Sequence, residues 1–574
     1  MRSIAVDTEY EKNIPFIATT TDEQLHSVLY RLDIGKWGKE NLRAICESSK
    51  INKVFHSATS DIYALSNIGI NVVPPYDDTF IMSSLINENF ESKKLKSLAK
   101  IYLEEPCNES KLLSKLKAKY KREAKKSDKQ FSYKMIPSEV LYPYAIKDTE
   151  YTMKLFHLFH KPIKQVQQLY DFEKELIPII VEMQQRGIKI NRSLVKRRIK
   201  ETQRLIFLTR NKLNKELTRN QYTEIFNHNS SHHVRKLLEH LNLFTHKLTK
   251  HGDFSTSADV LETFNHPTIK LILVLRGYEK KQNTYYLPLY EYYTSPTDDR
   301  AHFSYWQSGA KTGRMSAELI QTIPKRKEGN EVRKVFIPEK GYYLLVFDYE
   351  QIEMRLFAHF SNCKLLIKDI LNGYDPHMGT AKQIFSPEEI KKNNNACRQA
   401  AKTINFGIIY GMGRGKLTAT LKTEPRVANE LLANYYKKYP VREYIQSIIG
   451  RIYKTGFLDL DIDSSRMQVH RRYHVPQHLA YKGANVEIQG TAAYVMKYGM
   501  KRISDKIKKE KLDIHFLDVV HDEFGFEVSN AIPKKEAIDL ITAEMEDRIS
   551  FKVPILASAK WSSKSWGELK TWTD

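Results

Sequence analysis

Four acidic side chains and one tyrosine near the start of the chain have the types and spacing of a site for divalent cations. Asp7 and Glu9 lie in the run SIAVDTEY, where strand alternation places both carboxylates on one face. Asp61 follows a second apolar run and opens a helix, and Tyr144 lies four residues before Asp148 on one helix face. Carboxylates from three separate segments could hold two metal ions that activate a water and stabilise a leaving oxygen.

A second set of side chains lies in RQAAKTINFGIIYGMG, residues 398–413. Arg398, Lys402, Phe406 and Tyr410 recur every four residues, which places two cations and then two aromatic rings on one side of a helix. At about 1.5 Å per residue, this ladder covers about 18 Å. The arrangement suits a ligand that is anionic at one end and flat at the other.

Two hydrophobic runs in the second half of the chain end in acidic residues. VFDYEQIEMRLFAH places Asp348 at the end of a strand, and LDVVHDEFGFEV places Asp522 at the turn of a hairpin. A carboxylate buried at a strand tip is costly unless it is paired or bound to metal. Two such acids could meet on one sheet and hold two metals. Their polar neighbours are Gln351, Glu353, Arg355, His521 and Glu523.

The elements that must position these residues form an α/β part, a helical part and a further part with strands. SIAVD and KVFHS are predicted strands, and DIYALSNIGI is a predicted helix that ends at Gly69. Beyond residue 165 the helical segment FEKELIPIIVEMQQRGIKI stops at Gly187, and LILVLRGYEKKQNTYYLPLYEYY predicts a second long helix. Strands return after residue 290 in YYLLVFDYE and IHFLDVVHDEFGFEV. The chain is therefore predicted to be multidomain, α/β and α+β.

Composition narrows the class of protein. The 574 residues are enough for several domains, and 41% of them are hydrophobic. A net charge of +23 suggests a polyanionic partner such as nucleic acid, with a solubilising surface as the alternative. The cysteines lie far apart and form no CxxC, so the sequence supports neither a zinc site nor a disulfide framework, which fits a reducing compartment. No apolar run reaches the roughly 18 residues of a membrane span. We therefore expect a soluble protein that acts in the cytoplasm of a cell, which could be a host cell.

The segment 111–134 is strongly basic, with ten lysines and arginines against two acids. It is either a solvated helix face, which we slightly favour, or a mobile basic loop that touches a phosphate backbone.

The set Asp7, Glu9, Asp61, Tyr144 and Asp148 resembles the three motifs of DEDDy-type 3′–5′ exonucleases. Such domains accompany many DNA polymerases and also occur alone. The resemblance implies a ribonuclease-H-like domain whose four carboxylates bind two Mg²⁺ ions while Tyr144 orients the attacking water. Unrelated charges on an α/β domain are the alternative.

The rest of the chain resembles family A DNA polymerases, the DNA polymerase I family. DYEQIEMR resembles motif A, RQAAKTINFGIIYG resembles motif B and VHDE resembles motif C. TGRMS, QTIP, NGYDPH and NVEIQGTAA are similar to further segments and occur in the family's order, and FEKELIPIIVEMQQRGIKI and FSTSADVLETF resemble thumb segments. The resemblance implies a right-hand polymerase with thumb, palm and fingers after the exonuclease domain.

This resemblance also supplies a ligand for the helical ladder, because a deoxynucleoside triphosphate has an anionic tail and a flat base. Arg398 and Lys402 would meet the triphosphate, and Phe406 and Tyr410 would meet the sugar and base. By the same resemblance, Lys402 is a candidate proton donor to the pyrophosphate. Other residues implied in nucleotide binding are Gln351, Glu353 and His377.

The resemblance implies that Asp348 and Asp522 hold two Mg²⁺ ions, with Tyr349 as a further metal contact and Mn²⁺ able to substitute. One ion would lower the pKa of the primer 3′-hydroxyl, and the other would neutralise the leaving pyrophosphate. Contacts to the primer–template are expected through the backbone and minor groove. The residues implied are Arg314, Gln321, Asn485, Gln489 and His521.

The implied domains are an exonuclease, a thumb, a first palm segment with motif A, fingers with motif B and a second palm segment with motif C. Their predicted ranges are 1–165, 166–290, 291–365, 366–450 and 451–574. The sequence begins at the exonuclease region, without a 5′-nuclease domain, a layout that resembles phage or viral replicative polymerases. Two residues depart from the family pattern: Glu350, where motif A usually has Ser, and Tyr494, where an acid often follows QGTAA.

The expected function is template-directed DNA synthesis with proofreading, by a monomer that acts on primer–template DNA and dNTPs. A processivity factor or a helicase–primase could be a partner, but the sequence identifies none. Two other classes stay open. One is an exonuclease-dominated repair protein, against which Asp348, Lys402 and Asp522 argue. The other is a non-catalytic DNA-binding protein, against which the N-terminal carboxylates argue.

Overall fold

The computed structural model describes residues 1–127, 131–245, 247–249, 251–295, 297–325, 327–421 and 423–573. Its N-terminal part contains five strands: β1 (Arg2–Glu11), β2 (Ile14–Asp22), β3 (Ser27–Arg31), β4 (Ile51–Phe55) and β5 (Tyr76–Asp78). They form one mixed sheet in the order β3-β2-β1-β4-β5. β1 lies at its centre, antiparallel to β2 and parallel to β4. Helices pack against this central strand.

The described helices of this part are α1 (Trp37–Cys46), α2 (Ala58–Ser66), α3 (Thr79–Ile86), α4 (Leu95–Tyr102), α5 (Asn108–Lys126) and α6 (Ser138–Ile163). α1, α2, α3 and α6 pack against the sheet, and α4 and α5 pack against α6. The predicted strands SIAVD and KVFHS are confirmed, and so is the helix that follows them, although it ends at Ser66 and a turn leads to Gly69. α6 packs against β1 and β2. This packing brings Asp148 of α6 to the strand that carries Asp7 and Glu9. Much of the basic segment 111–134 is helical, within α5, and its residues 128–130 lie outside the described residues.

The next part is helical, as predicted. It contains α7 (Gln167–Arg186), the short strand β6 (Ile188–Lys189), α8 (Arg192–Arg219), α9 (Ser231–His240), α10 (Ala258–Leu261), α11 (Pro267–Lys280) and α12 (Leu287–Glu291). α7 ends at Gly187, whose φ of +58° favours glycine. The predicted second long helix comprises α11, a π-helical segment (Lys281–Tyr286) and α12. A separate hydrophobic core joins α8, α9 and α11, whereas α7 packs against α2.

The next elements along the chain are mostly strands: β7 (Arg300–Ala301), β8 (Tyr305–Trp306), β9 (Ser316–Ala317), α13 (Lys327–Arg333), β10 (Tyr342–Tyr349) and α14 (Ile352–Ser361). A helical group follows, which contains α15 (Lys364–Leu371), α16 (Pro376–Ile384), α17 (Pro387–Lys392), α18 (Asn394–Ile409), α19 (Arg414–Leu421), α20 (Pro425–Lys438) and α21 (Arg442–Thr455). α18 carries the ladder, and Tyr410 follows its last residue.

The C-terminal part returns to strands: β11 (Phe457–Asp463), β12 (Gln468–His474), α22 (Gly483–Glu510), β13 (Ile514–Val520), β14 (Glu523–Ser529), α23 (Lys534–Met545), β15 (Ala557–Ser562) and β16 (Lys570–Thr571). The second large sheet has the order β13-β14-β10-β15-β16. β10 is antiparallel to both β14 and β15. The two acid-bearing runs recognised in the sequence are therefore neighbours, as predicted.

A buried ion pair links α7 to α22. Lys497 Nζ lies 2.5 Å from Glu173 Oε1, and both side chains are almost fully buried. Such a pair resists separation because removal of one partner leaves an uncompensated charge. Within the described part of the chain, every helix is too short or too polar to span a membrane.

Candidate active sites

The first candidate site lies where α6 crosses the end of β1. Carboxylate oxygens of Asp7, Glu9 and Asp148 all lie within 4.8 Å of one another. Asp7 and Glu9 point to one face because they are two residues apart on β1. The packing of α6 on that strand supplies the third carboxylate. Three of the four predicted carboxylates therefore meet at one point.

The fourth carboxylate, Asp61, lies beside this cluster on α2 and has its own partner. The backbone N–H and the hydroxyl of Thr8 both donate to Asp61 Oδ1, at 3.0 and 2.6 Å. Thr8 lies between the two acids of β1, so these bonds tie α2 to the same strand. Asp61 is 4% exposed.

Burial raises the pKa of every acid in this cluster, because a charged carboxylate loses its hydration there. The pKa of Asp7 lies well above its usual range, since the neighbouring carboxylates add to the effect of burial. The pKa of Glu9 rises to about 8, that of Asp61 to about 7 and that of Asp148 to about 6. Lys96 opposes the rise at Asp148. A concentration of repelling carboxylates is suited to a divalent cation.

Tyr144 lies one helical turn before Asp148 on α6, as its spacing predicts. Burial, followed by the charge of Asp148, raises the pKa of its phenol above the usual range, so the hydroxyl stays protonated. The ammonium of Lys96 lies 4.5 Å from the centre of the Tyr144 ring.

The second candidate site lies at the end of β10. The register pairs Asp348 with Glu523 across β14, and the backbone N–H of Tyr349 donates to the carbonyl of Asp522 at 3.2 Å. Lys325 Nζ lies 3.2 Å from Glu523 Oε2 and 3.8 Å from Asp348 Oδ2. Burial raises the pKa of Asp348, and the Lys325 charge opposes this. Strand pairing thus gathers three acids from two distant runs.

A hydrogen-bonded set surrounds Glu353, which is buried in the first turn of α14. Arg314 Nη2 donates to Glu353 Oε1 at 2.7 Å and to Asp522 Oδ1 at 3.1 Å. The Tyr410 hydroxyl donates to Glu353 Oε2 at 2.7 Å, and Gln489 Nε2 donates to the Tyr410 oxygen at 3.3 Å. The set connects the end of the ladder helix with the hairpin turn that carries an acid.

The ladder occupies one side of α18. Arg398 Nε donates to Asp375 Oδ2 at 2.5 Å. Lys402 Nζ lies 5.5 Å from the centre of the Phe406 ring, and the Phe406 and Tyr410 rings are 6.0 Å apart. Tyr410 follows the last residue of α18 and donates its backbone N–H to the Phe406 carbonyl. The predicted order of two cations and two rings is present.

His377, the other predicted triphosphate contact, packs beside this ladder. Its ring centre lies 5.7 Å from that of Phe406, and its Nδ1 accepts from Asn405 Nδ2 at 2.8 Å. Burial lowers the pKa of His377 to about 4, so the imidazole is neutral. Its buried Nε2 has no hydrogen-bond partner among the described residues.

The other predicted contacts differ in their surroundings. Gln351 is exposed in the turn between β10 and α14, with a φ of +48°. The Tyr349 hydroxyl donates to the Met545 carbonyl at 3.3 Å inside the core, which leaves its main chain next to Asp522. Gln321 Oε1 accepts from the backbone N–H of Ala317 at 2.9 Å.

Asn485 and His521 lie on the elements that frame the second site. Asn485 lies in the first turn of α22, and its buried Oδ1 has no hydrogen-bond partner within the described ranges. His521 and Asp522 form the turn between β13 and β14, and His521 has a φ of +57°. Burial lowers the pKa of His521.

The two departures from the family pattern leave both sites intact. Glu350 has a side chain that is 44% exposed, and it lies 3.6 Å from Arg355. Tyr494 is fully buried in α22, where its hydroxyl accepts from Arg471 Nη1 at 2.7 Å. Each replacement has a partner, and neither displaces a predicted metal ligand.

Sequence reasoning missed three charged side chains next to the sites. Lys325 directly follows QTIP, so its position beside a recognised segment was an available signal. Asp375, the partner of Arg398, lies within NGYDPH, which was recognised without a role for the acid. Lys96 lies in the run SKKLKS and has no local signal that separates it from its neighbouring lysines.

The donor set of the first site fits a divalent cation. Hard cations such as Mg²⁺ prefer carboxylate oxygens, and the cluster of Asp7, Glu9 and Asp148 is close enough for shared ligation. At the second site Asp348 of β10 is paired in register with Glu523 of β14, and the backbone N–H of Tyr349 donates to the carbonyl of Asp522. The fold and these sites define a multidomain protein with two separate acidic centres, one on each large sheet.

Comparisons with known proteins give this class a family. Residues 196–568 match the model of DNA polymerase family A, and residues 1–164 match that of 3′–5′ exonucleases. The chain is 30% identical over 561 residues to DNA polymerase I of Borreliella burgdorferi, across 94% of this chain and 59% of that protein. It is 33% identical over 421 residues to DNA polymerase I of Caldicellulosiruptor bescii, across 71% and 48%. The chain therefore belongs to DNA polymerase family A, and it spans about half the length of these relatives.

A solved structure agrees with the fold. The POL domain of Pol1 from M. smegmatis, in complex with DNA primer-template and dNTP, has a TM-score of 0.78 and 22% identity, and the match covers 99% of this chain and 96% of that one. The predicted fold class is confirmed: a mixed-sheet exonuclease domain precedes a polymerase domain of family A.

Proposed function

We propose that the protein extends a primer 3′-hydroxyl with dNTPs on a DNA template and removes misinserted nucleotides in the 3′–5′ direction. The observation that carries the proposal is the hydrogen-bonded set of Arg314, Glu353 and Tyr410 beside Asp522. It joins Tyr410, at the end of the ladder, to Asp522, one of the two acids proposed to hold metal. Primer-template and dNTP are present in the structure of the Pol1 POL domain with the same fold.

Asp348 and Asp522 are the proposed holders of two Mg²⁺ ions in the polymerase site, and Mn²⁺ could replace them. When bound, such ions activate the attacking hydroxyl and stabilise the leaving pyrophosphate. Lys325 holds Asp348 and Glu523 near each other through its two ion pairs. Arg314 does the same for Asp522 and Glu353, so the acids keep their positions despite mutual repulsion.

In the proposed nucleotide site, Arg398 and Lys402 bind the triphosphate. The neutral His377 accepts from Asn405 at Nδ1, so its Nε2–H is a further donor to a phosphate oxygen. Arg398 must exchange Asp375 for a phosphate oxygen, a change that keeps its charge paired. Lys402 is the proposed proton donor to pyrophosphate. Phe406 and Tyr410 take the sugar and base, and closure of α18 over them would exclude water.

In the proposed exonuclease site, Asp7, Glu9, Asp61 and Asp148 hold two further divalent cations, and Tyr144 orients the attacking water. The protonated phenol of Tyr144 can donate to or accept from a water beside the cluster. Because the pKa values of these carboxylates are raised, cation binding must displace their protons.

The proposal includes the five predicted domain ranges. It also includes a nucleotide contact by Gln351 and DNA contacts by Gln321, Asn485, Gln489 and His521. A monomer is proposed, with no processivity partner assigned. A replicative role in a phage or virus also stays a prediction, and the relatives reported above, which are bacterial, do not support it.

A primer-extension assay with and without dNTPs tests the proposal. Asp348→Ala or Asp522→Ala should abolish extension and leave 3′ degradation, whereas Asp7→Ala should do the reverse. Asp513→Ala, an acid outside both centres, is the matched control and should leave both activities unchanged. Degradation without extension by the wild type would indicate an exonuclease-dominated repair protein. Neither activity, with DNA binding retained, would indicate a non-catalytic DNA-binding protein.

A further inference from the structure

Lys96 is a cation inside the carboxylate cluster of the first site. It lies on α4, and its side chain is only 15% exposed. Its ammonium is paired with Asp148 of α6 and lies 3.2 Å from Glu109 Oε1 of α5. A lysine rarely becomes this buried unless it is paired, because its charge loses hydration.

Two tyrosine rings complete the environment of this ammonium. It lies 4.5 Å from the centre of the Tyr144 ring and 4.7 Å from that of the buried Tyr151 ring. Both distances are within the range of a cation–π interaction. Lys96 therefore contacts a carboxylate proposed to bind metal and the tyrosine proposed to orient the attacking water.

A metal ion on Asp148 would place two cations on one carboxylate. Charges a few Å apart repel strongly where burial limits screening, so the ammonium and the metal cannot both keep close contact with Asp148 at low cost. Glu109 offers an alternative, because it is the second carboxylate within reach of Lys96. A small movement toward Glu109 would release Asp148 and keep the lysine paired.

We propose that Lys96 competes with the divalent cation at the exonuclease centre. The Lys96 ammonium pairs with Asp148 when no metal is bound, and it moves to Glu109 when metal binds. This inference rests on the proposed exonuclease function. Lys96 thereby sets the metal concentration at which the centre becomes active, and it protects the cluster from its own repulsion at low metal. It acts through Asp148 and is a positioning residue.

The test is calorimetric titration of the full chain with Mn²⁺, in a background of Asp348→Ala and Asp522→Ala that removes the metal ligands of the other site. Lys96→Met keeps the length of the side chain and removes its charge. This variant should bind Mn²⁺ at least about tenfold more tightly, because a cation this close to a carboxylate shifts the carboxylate pKa by about one unit or more. Lys96→Arg keeps the charge and should stay within about threefold of the parent. Lys100→Met, the same substitution one turn later on α4, is the matched control and should match the parent.

Glu109→Gln has the opposite expected sign. It removes the alternative partner, so Lys96 stays on Asp148 and Mn²⁺ should bind several-fold more weakly. A purely structural role for Lys96 predicts equal or weaker Mn²⁺ binding by Lys96→Met, and this outcome would overturn the inference. Melting temperatures in EDTA and in Mn²⁺ keep the test decisive if Lys96→Met is unstable: a larger gain in melting temperature with Mn²⁺ than in the parent supports competition, and an equal or smaller gain opposes it.

Failure of the exonuclease proposal itself would look different. In that case, Asp7→Ala would leave Mn²⁺ binding in the same background unchanged, because no site would depend on the cluster. If Asp7→Ala removes the site while Lys96→Met leaves its affinity unchanged, the exonuclease proposal stands and the competition is refuted.

Discussion

Replacement of Glu353 by alanine should weaken the exclusion of ribonucleotides. Glu353 is 6% exposed and accepts from both Arg314 and Tyr410, each at 2.7 Å. These bonds fix the Tyr410 ring and the carboxylate as one wall beside the proposed sugar position. A 2′-hydroxyl on the incoming nucleotide would crowd this wall or take one of its hydrogen bonds.

The expected size follows from those two bonds. Disturbing one buried hydrogen bond costs about 1–3 kcal/mol, and more when a charge is involved. Each ~1.4 kcal/mol is a factor of ten in rate, so the wall should discriminate by about tenfold to hundredfold. Glu353→Ala removes the carboxylate and opens the space, and the ratio of rNTP to dNTP insertion should rise by that factor. The overall rate should fall, because Tyr410 loses its acceptor and Arg314 loses one of its two carboxylate partners.

Single-nucleotide insertion kinetics with matched rNTP and dNTP pairs measure this ratio. The background should carry Asp7→Ala, so that proofreading does not remove misinserted nucleotides. Glu350→Ala is the matched control, since it removes an exposed carboxylate three residues earlier and should leave the ratio unchanged. If Glu353→Ala left the ratio unchanged, another residue would guard the 2′ position and the reasoning would be refuted.

Three other perturbations have defined outcomes. Phe406→Tyr should raise dideoxynucleotide incorporation at least about tenfold with little change for dNTPs, because the added hydroxyl fills the gap left by the missing 3′-hydroxyl; insertion kinetics measure both. A variant of the basic helix should replace four cations, Lys117, Lys119, Lys121 and Arg122, with neutral residues. In salt titrations of single-stranded DNA binding, the slope of log K against log salt concentration should become shallower by roughly 0.7 for each phosphate contact that is lost. In EDTA, the melting temperature should fall as pH rises from 6.5 to 8, and Glu9→Gln should reduce that fall.

The sign of the pH effect follows from the raised pKa values. Unfolded carboxylates ionise near pH 4, whereas Glu9 and Asp61 ionise at about 8 and about 7 in the folded protein. Between about pH 4 and these higher folded-state values, the folded protein binds more protons than the unfolded protein. The free energy of unfolding therefore falls as pH rises across this range. A fall of equal size in Glu9→Gln and the parent would contradict this origin.

The other two predictions have their own contradicting outcomes. Equal dideoxynucleotide discrimination by Phe406→Tyr and the parent would place the motif B alignment in doubt. An unchanged salt slope would favour a solvated helix face.

Local periodicity allowed much of both sites to be predicted from the sequence. Asp7 and Glu9 share a face because strand side chains alternate, and Arg398, Lys402 and Phe406 share a face because a helix repeats every 3.6 residues. These relations depend on the backbone alone and hold wherever the element forms. The acidic ends of β10 and of the β13–β14 hairpin were also readable, because each interrupts an otherwise apolar run. The family motifs added what periodicity lacks, namely which separate elements belong to one site.

Tertiary structure alone decided which charged groups meet. Arg398 pairs with Asp375, Arg314 bridges Glu353 and Asp522, and Lys96 reaches Asp148. Nothing local distinguishes Lys96 from the lysines beside it, because an ammonium on a flexible stem takes whichever carboxylate the packing of α4, α5 and α6 brings near. Such contacts join segments far apart in the chain, and their energies depend on burial and distance. The sequence determined the chemical groups and the elements that carry them, and packing determined the partner of each charge.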